Sequence, residues 1–94
     1  MDDLTFELDA EIRSEDPAAL RPVLEQLFRP DEIRPTDRGF EVHALVACDS
    51  ARDCNRSLLS ALRRAVRRTS LRARWSFGGV SERYFDYVLK GRDA

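Results

Sequence analysis

The first segment of the chain alternates between apolar and polar residues without interruption. From Leu4 to Arg13, every even-numbered residue is apolar and every odd-numbered residue is polar or charged. Because successive side chains of a strand point to opposite faces of the sheet, this pattern predicts a β-strand with one buried and one solvated face. Such a strand needs a second layer over its apolar face, so the chain must build a sheet that is covered on at least one side.

A second constraint comes from the segment between Ser50 and Arg74, which contains no Pro or Gly. Ser50 is followed three residues later by Asp53, and this capping-box-like pair predicts a helix start. We expect the helix to extend over Ala51–Arg68. A period of 3.6 residues gathers its apolar residues on one side, namely Ala51, Cys54, Leu58, Ala61, Leu62, Ala65 and Val66.

Four arginines share another side of this predicted helix, within an arc of roughly 60°. They are Arg52, Arg56, Arg63 and Arg67, and we call them the arginine stripe. A guanidinium group can bind a carboxylate or a phosphate through two parallel hydrogen bonds. The stripe is therefore open to three interpretations: a solvated outer face, a binding site for an acidic protein surface or a second copy of the chain, or a site for nucleic-acid phosphates.

The remaining elements follow from the same periodicities and from the positions of Pro and Gly. They are a helix between Pro17 and Arg29 with a start disturbed by Pro22, a loop over 30–39, and strands over Phe40–Cys48, Leu71–Phe77 and Ser81–Leu89. A short helix is the alternative for the last segment, because Tyr84, Tyr87 and Val88 also fit a helical face.

The predicted fold class is α+β, a two-layer α/β sandwich with the order β-α-β-α-β-β. We expect a four-stranded mixed sheet with two helices on one face, in which the first β-α-β unit is a right-handed parallel crossover. This order does not match the βαββαβ arrangement of ferredoxin-like domains. At 94 residues, the chain is long enough for a single domain, with a short tail over 91–94.

The last two predicted strands form a hairpin whose register affects which side chains are buried. A two-residue turn at Gly78-Gly79 would place Trp75 opposite Glu82, which joins an apolar face to acidic residues. We therefore expect a three-residue loop over 78–80 with a glycine bulge, which places Trp75 opposite Arg83. In that register Phe85 and Tyr87 belong to the core, and Tyr84 is half exposed on a sheet edge.

The charges are strongly segregated along the sequence. Residues 1–16 hold seven acids and one arginine, a net charge of −6, whereas residues 51–75 hold eight arginines and one aspartate, a net charge of +7. This asymmetry is typical of an acidic-partner or nucleic-acid surface, and equally of two halves that neutralise each other in the fold. Acids of the first strand could pair with Arg72 and Arg74 if their strands are neighbours.

Catalytic and metal chemistry have little support in the sequence. The spacing of His43, Cys48 and Cys54 matches no zinc pattern, so we expect two buried, unpaired cysteines and a surface histidine. No motif places a nucleophile beside a base. We expect no enzyme activity, cofactor or metal. The chain has no apolar run of membrane-spanning length and no export signal, and with two cysteines a cytoplasmic location is expected.

These observations predict a small non-catalytic protein-interaction module, such as an accessory subunit, adaptor or regulator, with a homodimer as one form. The predicted binding residues are Arg52, Arg56, Arg63, Arg67 and Tyr84, together with a sheet edge that could accept another strand. An RNA- or DNA-binding module that uses the same arginines is the alternative. Against it stands the predicted burial of the aromatic residues, since single-strand binders place aromatics beside a basic groove.

Overall fold

The computed structural model describes residues 4–87. In chain order the elements are β1 (Leu4–Ser14), α1 (Pro17–Leu27), a 3₁₀ turn (Pro30–Glu32), β2 (Ile33–Pro35), β3 (Gly39–Cys48), α2 (Ala51–Ala65), β4 (Thr69–Phe77) and β5 (Val80–Asp86). The five strands form one antiparallel sheet in the order β2-β3-β1-β4-β5. Both helices pack on the same face, so the α+β two-layer class is confirmed.

The predicted mixed four-stranded sheet with a parallel first crossover is wrong. β1 and β3 are antiparallel, with Phe6 opposite Val46. The strand that follows α1 is β2, a three-residue segment inside the predicted loop, in which buried Ile33 pairs with Val42. With β2 included and the 3₁₀ turn left out, the helices and strands from β1 to β4 have the βαββαβ order and the split βαβ arrangement of ferredoxin-like domains. This is contrary to our expectation. β5 then extends the sheet beyond β4.

β1 is the central strand, and its predicted alternation is confirmed. Its even-numbered residues from Phe6 to Ile12 are buried beneath the helices, while the odd-numbered residues lie on the opposite face, which no element covers among residues 4–87. We call this second face the open face. The largest fully buried side chains that surround β1 are Leu20, Leu24, Val42, Leu62, Leu71 and Trp75.

Both helices begin with a side-chain cap, and the cap at Ser50 is the predicted one. The Asp16 side chain accepts a hydrogen bond from Ala19 N at 3.4 Å, and Ser50 Oγ accepts one from Asp53 N at 3.1 Å. Pro22 lies inside α1 and is exposed. Since a proline has no N–H to donate within a helix, it is tolerated here on the solvent side of a short helix.

α2 ends at Ala65, three residues before the predicted end at Arg68. The chain becomes extended at Val66, whose side chain is buried, and Thr69, three residues later, is also buried. The Thr69 hydroxyl donates to Val66 O at 2.7 Å. This contact folds the chain back into β4, so Arg67 lies beyond the helix.

The predicted three-residue hairpin loop is also wrong. Gly78 and Gly79 form a two-residue turn with φ of 59° and 82°, and Trp75 lies opposite Glu82. Positive φ at both turn positions is the requirement of a type I′ turn, which glycine meets without steric cost. Consequently Phe85 and Tyr87 are on the open face rather than in the core, with 52% and 56% of their surface exposed.

The acidic side chains on the helix side of β5 have hydrogen-bond partners. Trp75 Nε1 donates to Asn55 Oδ1 at 3.1 Å, and Asn55 Nδ2 donates to Asp86 Oδ2 at 3.2 Å. Tyr84 Oη donates to Glu82 Oε1 at 2.7 Å. These contacts satisfy the polar groups that made this register appear unfavourable from sequence.

The two cysteines are joined, which corrects their expected state as unpaired thiols. Cys48 at the end of β3 and Cys54 in the first turns of α2 form a disulfide with a Cα–Cα distance of 6.0 Å. The two positions meet because the chain reverses between β3 and α2. The expected cytoplasmic location relies partly on unpaired cysteines, and the disulfide removes that support.

We expect Asn55→Ala to lower the free energy of unfolding by about 1–3 kcal/mol, because it leaves the buried Trp75 N–H without an acceptor. Urea unfolding followed by fluorescence of Trp75, the single tryptophan, measures this. Ser57→Ala, at an exposed position of the same helix, is the control and should change stability by less than about 0.5 kcal/mol. Equal effects of the two substitutions would contradict the role of Asn55.

Reduction with dithiothreitol should lower the free energy of unfolding of the wild-type chain by about 2 kcal/mol, because a short loop regains freedom in the unfolded state. The double variant Cys48→Ala/Cys54→Ala provides the control, since its urea transition should be the same with and without reductant. A wild-type transition that does not respond to reductant would show that the disulfide contributes nothing to stability.

Candidate interaction surface

The two edges of the sheet differ in length and in composition. β2 forms one edge and is three residues long, ending in Pro35, which has no N–H. β5 forms the other edge and pairs with β4 over seven residues without a proline or a bulge. Proteins commonly blunt exposed edges with short strands and prolines because unpaired N–H and C=O groups accept further strands. β5 lacks this protection along its length. On the other side, β2 pairs with residues 40–42 of β3, and residues 43–48 have no strand partner there within residues 4–87.

The turn geometry identifies which backbone groups of β5 are unpaired. A two-residue hairpin closes on a hydrogen-bonded pair, here Phe77 and Val80, and bonded and non-bonded pairs then alternate along the ladder. The even-numbered residues of β5 therefore direct their N–H and C=O groups to β4. The odd-numbered residues Ser81, Arg83 and Phe85 direct theirs outward, where another strand could pair with them.

An aromatic cluster lies beside this edge on the open face. The rings of Phe85 and Tyr87 are stacked, with centroids 6.3 Å apart and an angle of 4° between their planes. Arg72 Cζ lies 5.4 Å from the Phe85 centroid, which is within the range of a cation–π contact. Arg83 is on the same face of β5, next to Phe85. We call the outer edge of β5, with Arg83, Phe85 and Tyr87, the β5 surface.

Charges elsewhere on the open face are largely paired within the chain. Asp9 lies 2.7 Å from Arg74 and 2.8 Å from His43, and Glu11 lies 3.6 Å from Arg72. The expected neutralisation of β1 acids by β4 arginines is therefore confirmed, since the two strands are neighbours. Such exposed pairs contribute little stability, but they occupy Arg72 and Arg74. Arg83 forms no ion pair within residues 4–87.

The arginine stripe is divided by the fold. Arg52 and Arg56 are exposed on α2. Arg63 is half-buried, and its Nε donates to Thr69 O at 2.9 Å, so it fastens the start of β4. Arg67 is exposed in the turn after the helix. The structure thus leaves Arg52 and Arg56 as the exposed members of the stripe on the helix.

Arg52 lies close to the helix side of β5. The hydrogen bond from Tyr84 to Glu82 raises the pKa of the Tyr84 phenol above its usual range, and desolvation and the charge of Glu82 add to this rise. The positive charge of Arg52 opposes the rise. Tyr84 packs partly against the core, so its ring is turned inward, and the charge of the predicted binding residue Arg52 acts on its phenol.

A shallow groove on the open face contains His43, the remaining candidate for a catalytic or metal-binding side chain. It is lined by Asp9, Glu11, Glu41, His43, Arg72 and Arg83, among others. His43 is exposed and contacts Asp9. Over residues 4–87, no cluster of three metal-binding side chains is present. Neither helix in this range has the length and apolar character that crossing a membrane requires.

Comparison with known proteins gives no match to a family model, to a curated protein or to a solved structure. The functional interpretation therefore depends on the geometry of the chain.

Sequence reasoning missed Phe85 and Tyr87 as surface residues and Arg83 as their neighbour. The available signal was the Gly78-Gly79 pair, which favours a two-residue type I′ turn. Accepting that turn assigns both aromatic residues to the open face, because a shift of one residue exchanges the two faces of a strand.

We expect Glu82→Gln to lower the pKa of Tyr84 towards its ordinary value, because the amide is a weaker acceptor and carries no charge. A phenolate absorbance titration measures this in a Tyr87→Phe background, where Tyr84 is the remaining tyrosine of two. The raised pKa means that the native state holds the phenol proton more tightly. Its stabilising contribution is complete below about pH 10 and is lost as the pH rises through the folded pKa.

Glu25→Gln on α1 provides the control for this titration, since it removes a carboxylate that pairs with Arg21 away from β5. An unchanged Tyr84 titration in the Glu82→Gln variant would contradict the assigned hydrogen bond.

Proposed function

We propose that this chain is a non-catalytic protein-interaction module, an accessory subunit, adaptor or regulator that binds another protein through the β5 surface. The observation that carries the proposal is the outer edge of β5, which has no proline or bulge. This edge presents the N–H and C=O groups of Ser81, Arg83 and Phe85. A strand of a partner would add to the sheet by pairing with these groups, which is a recurring mode of peptide recognition.

Exposed apolar side chains on and beside β5 support the choice of this edge as the binding surface. Large hydrophobic side chains that remain exposed include Phe77, Val80, Phe85 and Tyr87, all on or next to the β4–β5 hairpin. They form two separate pairs, because Phe77 and Val80 lie on the helix side at the hairpin end, whereas Phe85 and Tyr87 lie on the open face at the other end of β5. The stacked pair Phe85 and Tyr87 is the apolar part of the β5 surface, and exposed apolar patches mark interaction sites. The exposed arginines Arg52 and Arg56 would add electrostatic complementarity to an acidic partner.

Nucleic-acid binding is the second candidate, and one observation favours it. Stacked Phe85 and Tyr87 lie beside Arg83 on an open sheet face, and aromatic platforms beside positive charge are used to bind single strands. The carboxylates of Asp9, Glu11 and Glu41 line the adjacent groove. The same groove holds Arg72, Arg74 and Arg83, so its acids and arginines balance and it offers a phosphate backbone no excess of positive charge. The protein partner is therefore favoured.

The test is affinity capture from the native host with the tagged chain, with and without nuclease. We expect one defined protein partner that resists nuclease, is lost with Arg83→Pro and is retained with Arg83→Ala. Proline removes the outward N–H while sparing the bonds to β4, and alanine keeps that N–H. Binding that survives Arg83→Pro would contradict the role of the edge.

A charge-reversal pair tests the contribution of α2. Arg52→Glu/Arg56→Glu should weaken capture, whereas Arg29→Glu/Arg38→Glu, with the same change in net charge at exposed positions of the loops around β2, should not. Captured material that disappears with nuclease, with an affinity that falls steeply as salt increases, would instead support nucleic-acid binding.

A further inference from the structure

We infer that the β5 surface binds a second copy of this chain, with the two β5 strands antiparallel around a two-fold axis at Phe85. This inference rests on the proposed function and specifies its partner. The two copies would form one continuous sheet of ten strands, five from each.

Symmetry restricts the possible registers to a few. In a two-fold antiparallel pair that keeps one continuous open face, each residue meets a residue on the same face. One residue of β5 must therefore lie opposite its own copy, and the two-fold axis passes midway between these two residues. Near the centre of the edge the candidates for the axis position are Glu82, Arg83, Tyr84, Phe85 and Asp86.

Like charges disfavour four of these five registers. An axis at Glu82, Arg83 or Asp86 places that charged residue directly opposite its own copy. An axis at Tyr84 places Glu82 opposite Asp86 of the second copy, twice by symmetry. Directly opposed like charges destabilise a strand pair.

The register centred on Phe85 brings together groups that attract one another. Phe85 faces Phe85 of the second copy, and Arg83 faces Tyr87, so aromatic and cation–π pairs form on the open face. On the helix side, Tyr84 faces Asp86. The Tyr84 hydroxyl and the Asp86 carboxylate are opposite in this pair, so no like charges meet on the helix side.

The backbone and the helix layer are compatible with this register. Phe85 and Arg83 direct their N–H and C=O groups outward, so Phe85 and its copy can exchange both hydrogen bonds at the axis. α2 packs against β3 and β4. Asn55 of α2 donates a hydrogen bond to Asp86 of β5. Within residues 4–87, no strand pairs with the outer edge of β5.

Three single substitutions identify the register: Arg83→Cys, Tyr84→Cys and Phe85→Cys, each made in the full chain with its Cys48–Cys54 disulfide intact. A cysteine on the two-fold axis has its own copy about 5.5 Å away between Cα atoms, within the range of a disulfide. Under mild oxidation, Phe85→Cys should give the covalent dimer. The product is read on a non-reducing gel, with the linkage assigned by mass spectrometry.

Light scattering over a concentration series tests self-association of the unmodified chain. We expect a dimer that weakens about tenfold or more with Arg83→Pro, because each copy loses one outward hydrogen bond, and that weakens less with Arg83→Ala. Circular dichroism shows whether the Arg83→Pro variant remains folded.

Covalent dimers formed mainly by Arg83→Cys or Tyr84→Cys would overturn the Phe85 register. A wild-type chain that stays monomeric, with no cross-linking by any of the three variants, would overturn the inference entirely. If that monomer still loses a captured protein when Arg83 is changed to proline, the proposed function stands and only the second copy as its partner is rejected.

Discussion

The buried indole of Trp75 sets a hydrogen-bonding requirement on which the β5 half of the molecule depends. A buried N–H without an acceptor is costly, and Asn55 supplies the acceptor from α2. The other end of the Asn55 amide binds Asp86, so one side chain ties α2, β4 and β5 together. This fixes which face of β5 turns towards the helices, and hence directs Phe85 and Tyr87 to the open face.

The parts of the fold that sequence predicts well are those with a long, local signal. The ten alternating residues of β1 specify a strand and its buried face, and Ser50 with Asp53 specifies where α2 begins. β2 escaped prediction because three residues ending in Pro35 carry no usable periodicity. Its omission also changed the predicted topology, since the direction of β3 depends on whether a strand precedes it.

The disulfide joins residues only six apart, and it depends on how closely the end of β3 approaches the start of α2. The hairpin register had a local signal in Gly78-Gly79 and a second contribution from a distant segment. Local pattern argues against placing Glu82 and Asp86 on the helix side, and the opposing contribution comes from Asn55, far away in sequence. For the site, sequence identified Arg52 and the sheet edge near Tyr84 as candidates, and these stay predictions. It could not show that Arg63 is used to anchor β4, because that depends on where α2 ends.

The contrast between the two edges of the sheet limits how far copies of this chain can assemble. A pair joined through β5 would carry a β2 edge at each end, and each of these edges is three residues long and ends in Pro35. Strand addition at these β2 segments would be short, because it needs a longer run of unpaired N–H and C=O groups. Growth through β2 would therefore be weaker than pairing through β5, which lowers the hazard that copies of the chain form fibres.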